Sequence, residues 1–158
     1  MKCTVLVILS CLLLISCAEE VPKTRLLEFR INGQYRSYSG YAFQYTDVEN
    51  GVDKAFDWHI YNLGQNALYM QAYDTTFEKL VFPYPDFQTE YTVELSQGAK
   101  KIYEATAGEF RLLGTEQGDI RGDFHFTLKN QTNPDDSLVV NDGYFRIWLE
   151  KKERTFPK

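Results

Sequence analysis

Leu27-Glu28-Phe29-Arg30-Ile31-Asn32-Gly33-Gln34-Tyr35-Arg36 alternates apolar and polar side chains up to an Asn-Gly pair and resumes beyond it. A period of two places Leu27, Phe29 and Ile31 on one face of a strand. Asn-Gly accepts the two positive φ angles of a type I′ turn, so the segment predicts a tight antiparallel hairpin. The same period continues downstream. Tyr41, Phe43 and Tyr45 alternate, and residues 47–53 are rich in turn formers. Phe56, Trp58 and Ile60 then share one face, opposite Asp57, His59 and Tyr61. Residues 62–66 read as a turn leading to a strand over residues 67–73. Residues 77–82 form another candidate strand, stopped by Pro83 and Pro85, with shorter candidates at 92–95 and 101–106.

The second half carries a recurring element. Gly108-Glu109-Phe110-Arg111-Leu112, Gly122-Asp123-Phe124-His125-Phe126 and Gly143-Tyr144-Phe145-Arg146-Ile147 each run Gly, variable, Phe, basic residue, apolar residue. Glycine tolerates φ > 0 at the end of a turn, and the Phe two positions on begins a buried face. That reading puts Phe110, Leu112, Phe124, Phe126, Leu128, Phe145, Ile147 and Leu149 in one core. No window of 12 residues after the N-terminal apolar run shows a 3.6-residue apolar repeat. Short strands separated by turn residues predict an all-β chain: a single antiparallel β-sandwich or a lipocalin-like barrel, which pattern alone does not separate.

A chain of 158 residues with 44% hydrophobic and 25% charged side chains fits one folded domain with a sizeable core. The formal net charge of −5 argues against nucleic acid as partner, because phosphate binding relies on clustered Lys and Arg. Aromatic residues make up 15% of the chain, and nine of the 11 tyrosines fall between Tyr35 and Tyr91.

The N-terminus adds an address. Met1-Lys2 is positive, and the uncharged stretch from Cys3 to Ile15 is too short to cross a hydrocarbon core of about 30 Å but suits the apolar region of a signal peptide. Leu14-Ile15-Ser16-Cys17 then resembles the bacterial lipobox. That resemblance implies lipid on the Cys17 thiol and cleavage after Ser16. It divides the chain into a signal peptide over residues 1–16, a lipidated tether over 17–24 and a β domain over 25–158. Cys3 and Cys11 leave with the signal, so the mature domain is expected to hold no disulfide and no free thiol. Several acyl chains, at about 0.8 kcal/mol per buried CH₂, are expected to hold the protein on a membrane. Ala18-Glu19-Glu20 resembles the surface-export signal of Bacteroidota lipoproteins, which points to the outer membrane and leaves its face open.

Gly118-Asp119-Ile120-Arg121-Gly122-Asp123-Phe124-His125-Phe126, followed by Asn141-Asp142-Gly143-Tyr144-Phe145, is similar to the C-terminal hairpin of small Bacteroidota outer-membrane lipoproteins of unknown function. Their pattern is G-x-I-x-G-x-F-x-F and then N-G-x-F; here Asp142 is inserted between Asn and Gly. The early Asn-Gly hairpin is similar to theirs as well. The resemblance implies an all-β lipoprotein and transfers no catalytic residue.

Chemistry is sparse. His59 and His125 are the only histidines, and neither sits in a nucleophile motif such as G-x-S-x-G. Two isolated histidines and no mature thiol give little basis for zinc. Asp47, Glu49 and Asp53, and Asp135, Asp136 and Asp142, form acidic groups without calcium-loop spacing, and Asx turns account for them. No cofactor and no enzymatic role are expected, a carboxylate-based hydrolase being the least favoured reading. The candidate ligand face is the outward side of the repeated strands: Trp148, Arg146, Tyr144, His125 and Arg111. Trp58, beside Ile60, is assigned to the core. Asp74-Thr75-Thr76 and Asp136-Ser137-Leu138 resemble a short O-glycosylation sequon of exported Bacteroidota proteins, which marks Thr75 and Ser137. The expected partners are the membrane through Cys17 and either a small ligand (oligosaccharide, peptide or apolar molecule) or another envelope protein.

Overall fold

The computed structural model describes residues 23–49, 52–73, 79–81, 87–95 and 98–155. Cys17, the rest of residues 1–22 and Thr75 lie outside these. Among the described residues nine strands follow one another: β1 (Arg25–Ile31), β2 (Gln34–Glu49), β3 (Val52–Asn62), β4 (Asn66–Ala72), β5 (Lys79–Val81), β6 (Phe87–Glu94), β7 (Lys100–Glu116), β8 (Asp119–Asn130) and β9 (Ser137–Thr155). The chain is all-β, as its alternation predicts.

Eight of the strands close into a ring in the order β1-β2-β3-β4-β6-β7-β8-β9, and β9 returns to β1. Sequential neighbours pair antiparallel, and the short β5 sits beside β7 through Leu80↔Phe110. Closure has a second part. β1 begins only at Arg25, and beyond it β2 and β9 pair directly and parallel, from Ala42↔Leu149 to Val48↔Thr155. Closing the sheet on itself removes the free edges that an open sheet would expose.

The β1–β2 hairpin turns on Asn32 (φ 47°) and Gly33 (φ 80°), the two positive angles a type I′ turn requires. Elsewhere the strands run longer than the sequence pattern suggests. Gln34–Glu49 forms one strand and Val52–Asn62 the next, so strand runs into the expected 47–53 turn from both sides. The candidate at 101–106 and the first Gly-x-Phe element merge into β7.

Side chains fill the ring. Leu27, Phe29, Leu68, Met70, Phe126, Leu128, Phe145 and Ile147 are all but inaccessible to solvent. Contacts cross the barrel as well as running round it. Phe29 on β1 meets Tyr91 on β6 edge-on at 6.2 Å, and Phe110 on β7 stacks on Phe145 of β9 at 5.5 Å. Trp58 is buried, as expected, while the Phe56 side chain lies outside the described part. Leu112 and Leu149 pack against this core from its margin.

The repeated glycines serve a purpose other than the one read from the sequence. Gly122 and Gly143 lie inside strands without positive φ, each directly opposite a phenylalanine: Gly122↔Phe145 and Phe124↔Gly143. A Cβ on Gly122 would stand 2.5 Å from Cε1 of the Phe145 ring. Gly108, opposite Phe126, differs: it does take a positive φ of 133°, and a Cβ there would meet the β8 backbone at the His125 carbonyl and Phe126 Cα. Gly122 and Gly143 are spaces into which core rings lie against the neighbouring backbone. Asp142, the residue inserted before Gly143, takes a left-handed φ of 50° where the ladder between β8 and β9 shifts register.

Candidate functional site

The residues of the expected ligand face lie on neighbouring strands of one wall of the barrel. Tyr144, Arg146 and Trp148 on β9 pair with Asp123, Arg121 and Asp119 on β8, and Arg111 on β7 faces Asp123. Arg111 grips Asp123 with Nε and Nη2 at 2.7 and 2.8 Å, a forked ion pair that raises its pKa. Arg146 Nε reaches the buried Asp119 carboxylate at 2.9 Å. Trp148 lays its ring over Gly118 at the β7–β8 turn, its backbone N–H donates to the Thr24 carbonyl at 2.7 Å, and Lys23 stands 6.0 Å from the ring centre. The indole thus seats the chain where it enters the barrel. His125 is exposed opposite Glu109, which a hydrogen bond from Lys79 holds below the usual carboxylate range. Arg111 and His125 border a shallow, open depression with Arg30, Asp123 and Asp142; Tyr144, Arg146 and Trp148 stand outside it. Ser137 is exposed as the first residue of β9.

A denser constellation occupies the opposite wall, built from β2, β3, β4 and the C-terminal half of β9. Register places Phe43 beside His59, Tyr45 beside Asp57, Tyr61 beside Tyr69, and Asp47 beside Arg154. These residues alternate with Ala42, Trp58, Ile60 and Met70, which point to the core, so they share the outward face. Their rings are continuous. Tyr41 and Phe43 each stack with Tyr61, at 5.7 and 5.9 Å, and Tyr45 meets His59 edge-on at 4.8 Å. Cations border them: Arg25 lies 4.8 Å from Tyr41, Lys152 3.6 Å from Phe43 and Arg154 4.8 Å from Tyr45.

A hydrogen-bond chain runs through the middle. Asp57, buried despite its charge, accepts from His59 Nε2 at 2.6 Å and from Arg154 Nη2 at 2.5 Å, while Arg154 Nε also binds Asp47 at 2.7 Å. Burial opposes the charge on Arg154, yet the two aspartates carry its pKa above the ordinary value. On the other side of the imidazole, Nδ1 lies 2.6 Å from the Tyr69 hydroxyl, which is 2.8 Å from Gln71 Oε1. With His59 neutral and Nε2–H given to Asp57, Nδ1 accepts the phenolic proton. With Nδ1 also protonated, Nδ1–H donates to the Tyr69 oxygen, and the Tyr69 O–H donates to Gln71 Oε1. Both arrangements keep the imidazole bonded at each nitrogen.

Burial pushes the Tyr69 phenol up to about 12. An Asp–His pair can serve as a general base, but here its outer nitrogen meets a phenol that holds its proton rather than a ready nucleophile. The pKa shift makes a prediction about stability. A folded pKa of about 12 against about 10 unfolded favours the fold fully below pH 10, and that contribution is lost as pH rises through 12. Stability measured by chemical denaturation is expected to fall between pH 10 and 12. Tyr69→Phe should remove part of that fall, up to about 2 kcal/mol after solvent screening. An unchanged pH slope in the variant would show that Tyr69 is not the group responsible.

The sequence places Asp57 and His59 on one face but leaves His59 as an ordinary strand histidine. Its partners Tyr69 and Gln71 come from the next strand, and Arg154 from the far end of the chain. Only the i, i+2 spacing of Asp57, His59 and Tyr61 hints at the array. Comparisons with family models, with curated proteins and with solved structures give no match for this chain.

Proposed function

We propose that this chain is a membrane-anchored lipoprotein of the outer membrane whose β domain is a non-catalytic binding module working from its outer wall. The leader and Leu14-Ile15-Ser16-Cys17 support the anchor. One observation carries the binding reading: the barrel interior is occupied by packed aromatic and aliphatic side chains, while a continuous ring array with bordering cations faces outward on β2, β3, β4 and β9. A filled barrel leaves no chamber of the lipocalin kind at the level of Phe29 and Phe145, so recognition falls to the wall. The half-buried Tyr41, Tyr45 and Tyr61, held rigid around the buried Phe43, supply area at low entropic cost, and Arg and Lys at their margin supply polarity, the composition of a protein- or glycan-recognising patch.

Two experiments test the two halves. Growth with a fatty-acid probe should label the native protein and leave Cys17→Ala unlabelled; equal labelling of both rejects the anchor. A photo-crosslinking amino acid in place of Tyr41 should give a discrete adduct in intact cells, whereas the same group in place of the exposed Lys129, on β8, should not. Adducts of equal yield at both positions, or none at Tyr41, reject the wall as the contact surface.

A further inference from the structure

The barrel is filled at the level of Phe29 but not at its mouth. On the inward face of β2, Arg36 stands beside Phe29 of β1, and Gln34 beside Ile31. Tyr91 of β6 and Tyr103 of β7 are buried cross-strand partners, and Tyr91 rests edge-on against Phe29 at 6.2 Å. These two tyrosines floor an open depression of about 370 Å³, to which Ile31, Val93 and Leu138 give apolar sides. The depression lies at the Ile31 end of β1, opposite the end at which the chain enters from Thr24.

The cation of this mouth has no counter-charge. Arg30, Arg111, Arg146 and Arg154, on the outer face, each meet a carboxylate at 3.3 Å or less. Arg36 is half-buried and turned inward, where water compensates a charge less well. Its Nη2 donates to Gln34 Oε1 at 2.8 Å, a neutral partner that steadies the guanidinium and leaves Nε and Nη1 without one among the described residues. The chain has 22 acidic residues against 17 basic ones, yet none of the described acids pairs with Arg36. The carboxylate on the Tyr103 side is already matched: Asp136 accepts from Lys101 at 2.9 Å, from the Tyr103 hydroxyl at 3.0 Å and from Asn130 at 3.1 Å. Burial holds the Tyr91 phenol above its ordinary range in spite of the nearby Arg36 charge, so the floor stays neutral.

We propose that the mouth of the barrel is a binding site for a small organic carboxylate, its charge held by Arg36 and its apolar body laid against Tyr91, Val93 and Leu138. A guanidinium presents N–H donors in a planar fork that fits a carboxylate. Neutral rings and aliphatic side chains beside that fork receive the attached carbons, the pairing of an apolar surface with one placed charge that small-molecule sites use. One cation answers one negative charge, and Asp136 beyond Tyr103 opposes a second, which favours a carboxylate over a phosphate dianion. An amine would meet Arg36 with like charge. The carboxylate can belong to a free acid or to the C-terminus of a polypeptide; its chemistry at Arg36 is the same. The inference goes beyond the outer-wall reading and does not rest on it.

The test is a titration of the full chain, as isolated from cells, in a non-ionic detergent, followed by the methyl spectra of Ile31, Val93 and Leu138. Hexanoate is expected to shift these methyls saturably with a Kd on the order of 1 mM. The uncharged 1-hexanol, with the same carbon chain, and acetate, with the charge alone, should each bind at least about tenfold more weakly. Arg36→Gln should weaken hexanoate binding at least about tenfold. It should also leave the melting temperature unchanged, because Arg36 has no ion pair to lose, so lost binding is not lost folding. The comparison with 1-hexanol needs no variant at all. Nα-acetyl-leucine binding as tightly as hexanoate identifies a polypeptide C-terminus as the source; hexanoate binding alone identifies a free acid. Absent saturation with both carboxylates, 1-hexanol binding as tightly as hexanoate, or undiminished affinity in Arg36→Gln overturns the proposal. The crosslink from position 41 reports on the outer wall, so the failure of one reading leaves the other standing.

Discussion

Gly143→Ala is expected to lower the stability of the barrel by about 3 kcal/mol, close to 10 °C in Tm for a domain of this size. The added methyl would stand within 2.5 Å of the Phe124 ring and of the Phe124 carbonyl oxygen. Neither neighbour can yield. The carbonyl belongs to the β8 strand, and the ring is fixed between Phe126, stacked at 5.3 Å, and Phe29 at 6.1 Å. Relief requires a backbone shift at the β8–β9 ladder, which also positions Phe145 over Gly122. Gly33→Ala is the informative contrast, because nothing lies within 4 Å of its would-be Cβ and only its φ of 80° is strained. That variant should cost about 1 kcal/mol. Chemical denaturation of both decides the matter: equal losses would mean that backbone conformation, not ring contact, accounts for the glycines.

The second large effect is expected at Asp57. Asp57→Ala removes the acceptor of both His59 and Arg154 and leaves a void in a buried spot, with an expected loss of about 3 kcal/mol. Arg154 keeps Asp47 and some exposure to water, which holds the loss below that of a wholly buried pair. The loss should be felt along the parallel β2–β9 junction, since Arg154 is what ties β9 to both β2 and β3. Amide hydrogen exchange should therefore accelerate at residues 149–154 more than at residues 120–128. Asp142→Asn, which keeps a residue tolerant of the left-handed φ and removes the charge of an exposed pair with Arg30 at 3.3 Å, should cost less than about 0.5 kcal/mol. A cost at Asp57 no larger than at Asp142 would show that the network is ornamental to the fold.

The legible and illegible parts of this molecule divide along a physical line. Local periodicity is written in the chain, so the Asn32-Gly33 hairpin, the buried faces of β1 and β8 and the core position of Trp58 all follow from it. Ring closure does not, because Leu27↔Phe145 joins residues whose neighbourhood no local pattern encodes. The repeated Gly-x-Phe shows the same divide. Its period marks strands correctly, but the reason for Gly122 and Gly143 is a ring on another strand, visible only once register is known. Arg146 and Trp148 were legible as outward, yet Asp119 and Gly118, which occupy them, became neighbours only through the β8–β9 ladder. For the same reason His59 looked ordinary. Its character comes from Asp57, two residues away, combined with Tyr69 and Gln71 across a turn and Arg154 from a distant strand.

The closure of the barrel also decides how it bears force. β1 lies between β2 and β9 over its length, and the chain leaves it at Thr24, where β2 and β9 begin to pair with each other. Tension arriving through Lys23, as a lipid on Cys17 would transmit it, pulls β1 along its own axis. The hydrogen bonds on both flanks are then loaded together in shear, and none can open without the strand sliding as a whole. A barrel hung from this strand is clamped against tearing, whereas the same load applied across the sheet would peel its bonds one at a time.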